Sequence, residues 1–255
     1  MRSKRGKRRQ REKIYELLLG LCLMVLMSFA FPRVSWVGPL GYALIALLLT
    51  QLVMIRKEVL TLQDRLYQAL GIGALLTLTL WQFTPLRWVV SGFPLIVTWS
   101  LLVGWSVIRL VESLSQESKI TSRLLMGAAA GYLLLGLTAG LVMSAVATIQ
   151  PQSFEPIINF GESANAPDAN VFVNISYFAQ INYFAFICLT TVGFGDIEPM
   201  LPLSRMIAVV TGIIGPLYLA VVMGVLIGRY TSEKDEKEID EQESNRKIDA
   251  YQNKP

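Results

Sequence analysis

The sequence predicts an all-α membrane protein: six transmembrane helices, with a re-entrant half-helix and a glycine-rich loop between the fifth and the sixth. Three observations carry this reading. Apolar residues make up 53% of the 255 residues and charged residues only 16%, against about 25% charge in a soluble domain. Apolar stretches near the roughly 20 residues that a helix needs to cross about 30 Å of hydrocarbon recur along the chain. The bases are unevenly placed: eight of the 23 Lys and Arg lie in residues 2–13, and none lies between Arg123 and Arg205. The chain has no His, so His ligands, a His general base and a His pH switch are excluded. Two Cys, Cys22 and Cys188, are too few for a disulfide scaffold or a zinc site. No enzyme and no cofactor is expected.

The first apolar stretch, 14–31, follows the basic segment RSKRGKRRQREK directly. Such a cluster also suits nucleic acid, but its place against a span makes residues 1–13 a basic cytoplasmic N-terminus, and no nucleic-acid partner is expected. Ser28-Phe29-Ala30 also fits a small-x-small signal-peptide cleavage site; cleavage leaves residue 31 outside and the later topology unchanged. The next spans are placed at 37–55, 67–84, 88–111, 124–148 and 203–228, with Pro32, Pro39 and Pro85 where helices should end. With the N-terminus inside, the inner segments carry the eight bases, then Arg56, Lys57 and Arg65, then Arg109, Lys119 and Arg123. The outer loops carry only Arg33 and Arg87, as the positive-inside rule requires. An even number of spans makes both termini cytoplasmic, and the cell membrane is the expected location.

The segment after the fifth span, SYFAQINYFAFICLTTVGFGDIEPM, covers residues 176–200. Its apolar, aromatic first part is too short to span and suits a re-entrant half-helix capped by Ser176. Ser176 also completes an Asn174-Ile175-Ser176 glycosylation sequon, for which the cap is the preferred reading. Then comes Thr190-Thr191-Val192-Gly193-Phe194-Gly195-Asp196. Two alternating glycines allow backbone angles that L-residues avoid, so consecutive carbonyls can face one way. A row of carbonyls can replace a cation's hydration shell, and the half-helix would turn its negative dipole end toward that row.

TTVGFGD resembles the selectivity filter of the tetrameric potassium channels, whose usual form is TVGYG followed by Asp. The change to Phe at position 194 also occurs within that family, for example in two-pore-domain channels. Tyr183 and Phe184 stand where the family has the aromatic pair of its pore helix, Arg205 matches the basic residue that starts the inner helix, and Gly215 falls at the inner-helix glycine. The resemblance covers roughly 122–232. It implies a homotetramer that conducts potassium passively, with potassium at Thr191, Val192, Gly193 and Phe194 and with Gly195 completing the ion-binding loop. Thr190, Asp196, Tyr183 and Phe184 would support the filter. Potassium is then a permeant ion rather than a cofactor, and the partners are three further copies and the lipid bilayer. Residues 14–112 become a four-helix transmembrane domain, 122–230 the pore domain, and 231–255 a charged cytoplasmic tail too polar to bury a core. A weakly selective cation channel and a non-conducting membrane subunit are the alternatives. A carrier would show paired inverted repeats, and none is visible.

Several positions depart from the family pattern or extend it. Residues 88–108 carry no charge, and Arg109 stands alone at the inner end. The first four spans therefore take a voltage-sensor-like position without gating charges and read as a packing and anchoring domain. Where some relatives have a Glu behind the filter, this chain has Ile187, and Tyr183 is expected to supply a donor to Asp196 instead. Asp196 and Glu198 form the outer mouth, eight carboxylates in a tetramer. Small residues recur at helical spacing at Gly136, Gly140, Ser144 and Thr148, and at Gly212, Pro216, Ala220, Gly224 and Gly228, which suits close helix packing in lipid. Gly215 and Pro216 are the expected hinge. Leu219, Met223 and Ile227 are the expected gate, a hydrophobic constriction closing by dewetting.

Overall fold

The computed structural model describes residues 2–31, 37–54, 62–83, 92–116, 122–157 and 175–252. Seven helices run through them: α1 (Arg2–Ala30), α2 (Val37–Met54), α3 (Leu62–Phe83), α4 (Gly92–Gln116), α5 (Ser122–Ile149), α6 (Ile175–Leu189) and α7 (Pro202–Gln252). Six of them cover the segments expected to span, and α6 covers the segment expected as a half-helix. Among the described residues, three helices are long and apolar enough to cross a membrane, over Lys13–Ala30, Leu125–Ile149 and Pro202–Gly228. The described chain is mostly helical, and these three helices suit a membrane protein. Pro32, Pro85, Arg33, Arg56, Lys57, Arg87, Lys119 and Asn174 lie outside the described residues.

Both terminal helices exceed the expected bounds. Helix α1 takes in the basic N-terminal segment, because Arg, Lys and Gln are good helix formers and the segment contains only one glycine before Lys13. Helix α7 continues through the charged tail to Gln252. There Glu233 precedes Lys237, and Glu243 precedes Lys247, by four residues, the favourable order of charge along a helix. The tail's polarity bars it from a core but not from a helix. Helix α6 begins at Ile175, so Ser176 lies inside its first turn rather than at the cap. The fold also has one element not expected in an all-α chain. Strands β1 (Phe154–Glu155) and β2 (Glu198–Pro199) pair antiparallel, with Phe154 opposite Pro199 and Glu155 opposite Glu198.

The helices pack in sequence: α1 on α2, α2 on α3, α3 on α4, with both α1 and α4 also on α5. The first four helices and α5 therefore close one bundle. Its core holds the fully buried Tyr42, Leu95, Trp99, Leu102 and Leu137, and it includes Phe178 of α6. On its other side α5 packs against α6 and α7. Helix α5 is hence the shared wall of the structure, which is why its small residues matter on the α6 side.

Arg109 does not stand alone. Its Nη2 donates to Oδ1 of Asp64 at 3.0 Å, and the two side chains are 15% and 6% exposed. The guanidinium also lies 4.9 Å from the Tyr67 ring centroid and 5.5 Å from that of Trp105. Asp64 falls in the first turn of α3, which starts five residues before the expected span, and this brings the acid alongside α4. Two charges removed from water are tolerable only as a pair. Asp64→Ala should therefore lower the unfolding free energy in detergent by about 3 kcal/mol, since it strands a guanidinium. The double variant Asp64→Leu, Arg109→Met should recover most of that loss in the same thermal melts.

Candidate functional site

The site is built from the end of α6, the loop that follows it, and the start of α7. Helix α6 is apolar along its length and carries the loop at its C-terminal end. Its last carbonyls are not left orphaned, as helix ends otherwise are. The N–H of Thr190 donates to Phe186 at 2.9 Å and that of Thr191 to Cys188 at 3.0 Å. Val192 and Gly193 both donate to Ile187, at 3.0 and 3.4 Å. The carbonyl of Leu189 accepts from the Tyr132 hydroxyl on α5 at 3.4 Å. The loop therefore folds back on the helix that precedes it.

That hydrogen bonding has a geometric result. None of these peptides is cis. In a planar trans peptide the N–H of one residue points opposite to the C=O of the residue before it. With the N–H groups of Thr191, Val192 and Gly193 turned to α6, the carbonyls of Thr190, Thr191 and Val192 point away from it. The φ angles agree. Thr191, Gly193 and Gly195 have φ of 59°, 56° and 75°, while Val192 and Phe194 between them are not in the left-handed region. This alternation straightens the loop into a ribbon. The two glycines follow from the sequence, whereas Thr191 does not: a β-branched residue in the left-handed region costs about 1–3 kcal/mol and persists only where neighbours enforce it. The amide bonds to Cys188 and Ile187 on either side of the residue do so.

Two side-chain bonds brace the ribbon. The Tyr183 hydroxyl donates to Oδ2 of Asp196 at 2.7 Å, across the loop from the helix that carries it. Phe184, the neighbouring residue, is buried and packs on Phe154 of β1 with ring centroids 5.4 Å apart. Ile187 is buried, and its carbonyl rather than its side chain serves the loop. Nε of Arg205 donates to the carbonyl of Pro199 at 3.0 Å, which ties the start of α7 to β2. Val192 and Phe194 are exposed, at 52% and 69% in the single chain. Glu198 is exposed on β2, and its register partner is the exposed Glu155, which sequence reasoning did not place at this mouth. Two carboxylates at directly opposed positions disfavour one another; the Met200 N–H extends the pairing by donating to the Ser153 carbonyl at 2.9 Å, and Phe154 anchors β1 on Phe184.

The expected gate and hinge residues lie on α7. Tyr218 and Val222 are buried against α5, with the Tyr218 hydroxyl donating to Ala128 at 2.6 Å. Leu219, Met223 and Ile227 are exposed in the single chain. Pro216 lies inside the helix and is exposed, so the carbonyl of Gly212 lacks its usual donor. Gly215 has a reason beyond flexibility: a Cβ there would run into the carbonyl oxygen of Leu189. The small-residue stripe that follows it has no such role within the chain, because nothing lies within 4 Å of a Cβ at Gly224 or Gly228. On α5 the stripe does face α6: a Cβ at Gly136 would strike the Phe186 ring, and one at Gly140 the side chain of Asn182.

A short helix packed on α5 and α7, a backbone ribbon bound to its C-terminus, and a following apolar helix make up the site. The family model described as ion channel matches residues 132–232, from α5 through the first part of α7. The match supports ion-channel function and membership of the pore-loop channels for that part of the chain. No curated protein and no solved structure matches.

The sign of one substitution separates the two readings of Gly215. If flexibility were its only role, Gly215→Ala would stiffen α7 and stabilise it by about 1 kcal/mol. The close approach to Leu189 predicts the reverse, a loss of about 2 kcal/mol through overpacking. Gly224→Ala, with open space around it, should be neutral or slightly stabilising in the same thermal melts.

Proposed function

We propose that the chain is the subunit of a potassium-selective channel that conducts passively across the cell membrane as a homotetramer. The reading rests on one observation above the others: TTVGFGD sits at the end of a short helix, with the amides of residues 190–193 turned to that helix and the φ signs alternating from Thr191 to Gly195. Four such ribbons about an axis present rings of carbonyls from Thr191, Val192, Gly193 and Phe194, with Gly195 closing the loop, and these rings stand in for water around potassium. One chain carries one ribbon, so a closed ring needs further copies. Thr190, Tyr183, Phe184 and Asp196 hold the ribbon, and Leu219, Met223 and Ile227 form a hydrophobic constriction below it. Six spans place both termini in the cytoplasm.

Voltage has little grip on this channel. Moving one charge through 100 mV yields about 2.3 kcal/mol, less than the roughly 3–5 kcal/mol needed to separate a buried ion pair. Arg109, the base of α4, is so paired with Asp64.

Reconstituted protein in planar bilayers tests the reading. Bi-ionic reversal potentials should show potassium strongly preferred over sodium. Equal permeabilities mean a weakly selective cation channel, and no flux means a non-conducting subunit. Gly193→Ala should abolish selective conduction. Within the single chain no atom lies within 4 Å of its Cβ position, so there the strain comes from φ, at about 1–2 kcal/mol.

The outer mouth should concentrate cations through Asp196 and Glu198, because the interval from Arg123 to Arg205 contains no base. Salt screens such a field over about 8 Å at physiological strength. Glu198→Gln should therefore lower single-channel conductance more at low potassium than at high. An equal fractional loss at both concentrations counts against the field.

A further inference from the structure

The first four helices reach the ribbon through a hydrogen bond in the apolar core. Tyr42 of α2 is fully buried, packed edge-on against Trp99 at 5.5 Å and Phe178 at 6.2 Å. Its hydroxyl donates to the carbonyl of Leu137 on α5 at 3.2 Å and to Oδ1 of Asn182 on α6 at 3.3 Å. One phenolic proton serves both acceptors. Asn182 is fully buried, and its amide group donates to the Phe178 carbonyl at 2.9 Å, which orients Oδ1 toward Tyr42. Gly140 leaves the room: a Cβ there would occupy the place of the Asn182 side chain. A bare asparagine in this core would be costly, so the pair is complementary across three helices.

The position of Asn182 on α6 gives the bond its reach. Successive helical residues point about 100° apart. Asn182 faces Tyr42 and α5, Tyr183 faces Asp196, and Phe184 faces Phe154 of β1. A rotation of α6 that loosens one contact strains the others. We propose that Tyr42, acting through Asn182, is a positioning residue for ion selection: it sets the rotation of α6 and with it the Tyr183–Asp196 brace of the ribbon. The four-helix unit then has a function beyond packing and anchoring, as a frame for the filter. The proposal rests on the channel reading above and deepens it.

The test uses the full-length protein in lipid nanodiscs and bilayers, with two readouts. Tyr42→Phe keeps the ring and removes the hydroxyl. Asn182→Leu keeps the volume and the Tyr42–Leu137 bond but removes the acceptor on α6. Both should speed amide hydrogen exchange across 190–193 by about threefold to twentyfold, the range one interhelical hydrogen bond in a bilayer supports. Both should also lower the potassium-to-sodium permeability ratio. The effect of Tyr42→Phe should be non-additive with that of Tyr183→Phe, since the two act on one brace. Unchanged exchange overturns the proposal, whatever the currents show. Faster exchange in Tyr42→Phe but not in Asn182→Leu overturns it too, because the effect then runs through α5. Faster exchange with an unchanged permeability ratio, or with additive effects, refutes the role in ion selection. A wild-type protein without selective flux sinks the channel reading and with it the role in ion selection; the exchange data then decide the mechanical link from Tyr42 to the ribbon by themselves.

Discussion

A backbone that is neither helix nor sheet must still have its polar groups met by protein or by water. Residues 190–193 meet this demand by returning their N–H groups to the carbonyls of Phe186, Ile187 and Cys188. That set of bonds is the constraint on which the rest of the structure depends. It satisfies the end of α6 and the start of the ribbon together, and it turns the carbonyls of Thr190, Thr191 and Val192 away from the helix. It also makes α6 the reference for everything the loop does. A shift of α6 is a shift of the ribbon.

The surrounding helices are arranged accordingly. Helix α5 comes close to α6 at Gly136 and Gly140, where side chains of Phe186 and Asn182 take the space that a Cβ would fill. Helix α7 comes close at Gly215, against the Leu189 carbonyl, while Tyr132 donates to that same oxygen. In lipid the hydrophobic effect offers little drive between helices, and close approach with a few hydrogen bonds takes over. The first four helices follow the same logic. Their contact with α6 combines the Tyr42–Asn182 bond with edge-on aromatic packing of Phe29 and Tyr42 on Phe178. The Asp64–Arg109 pair fastens α3 to α4 at another place in that unit.

Chemistry at such a site is a matter of dipoles and fixed charges. The described residues offer no group of His, Cys, Asp or Glu that could hold a metal ion, and the loop's polar surface is backbone together with the hydroxyls of Thr190 and Thr191 and the carboxylate of Asp196. Carbonyl oxygens suit a monovalent cation that exchanges quickly with water. Carboxylates at Asp196, Glu198 and Glu155 stand beside the loop, with Asp196 held by Tyr183.

The sequence by itself located the helices, because apolar runs bounded by polar and Pro-containing segments mark them, but it did not fix their ends: α1 and α7 run on through charged segments. It also pointed to the ribbon, since two glycines at alternate positions permit the left-handed angles it uses, and the Tyr183–Asp196 bond was expected from the resemblance, with Ile187 in place of the acid that some relatives carry. What escaped it depends on partners far apart in the chain. Asp64 finds Arg109 across 45 residues and Tyr42 finds Asn182 across 140; no local pattern marks such pairs, because each residue alone reads as an ordinary member of its helix. Glu155 joins the mouth only through a two-residue strand pairing that no propensity predicts. Thr191 takes a glycine-like φ against its own preference, since the amide bonds on either side of it leave no alternative. Gly215 looked like a hinge in sequence because flexibility is a property of one residue, whereas close approach is a property of two, and only the tertiary structure brings the Leu189 carbonyl beside it.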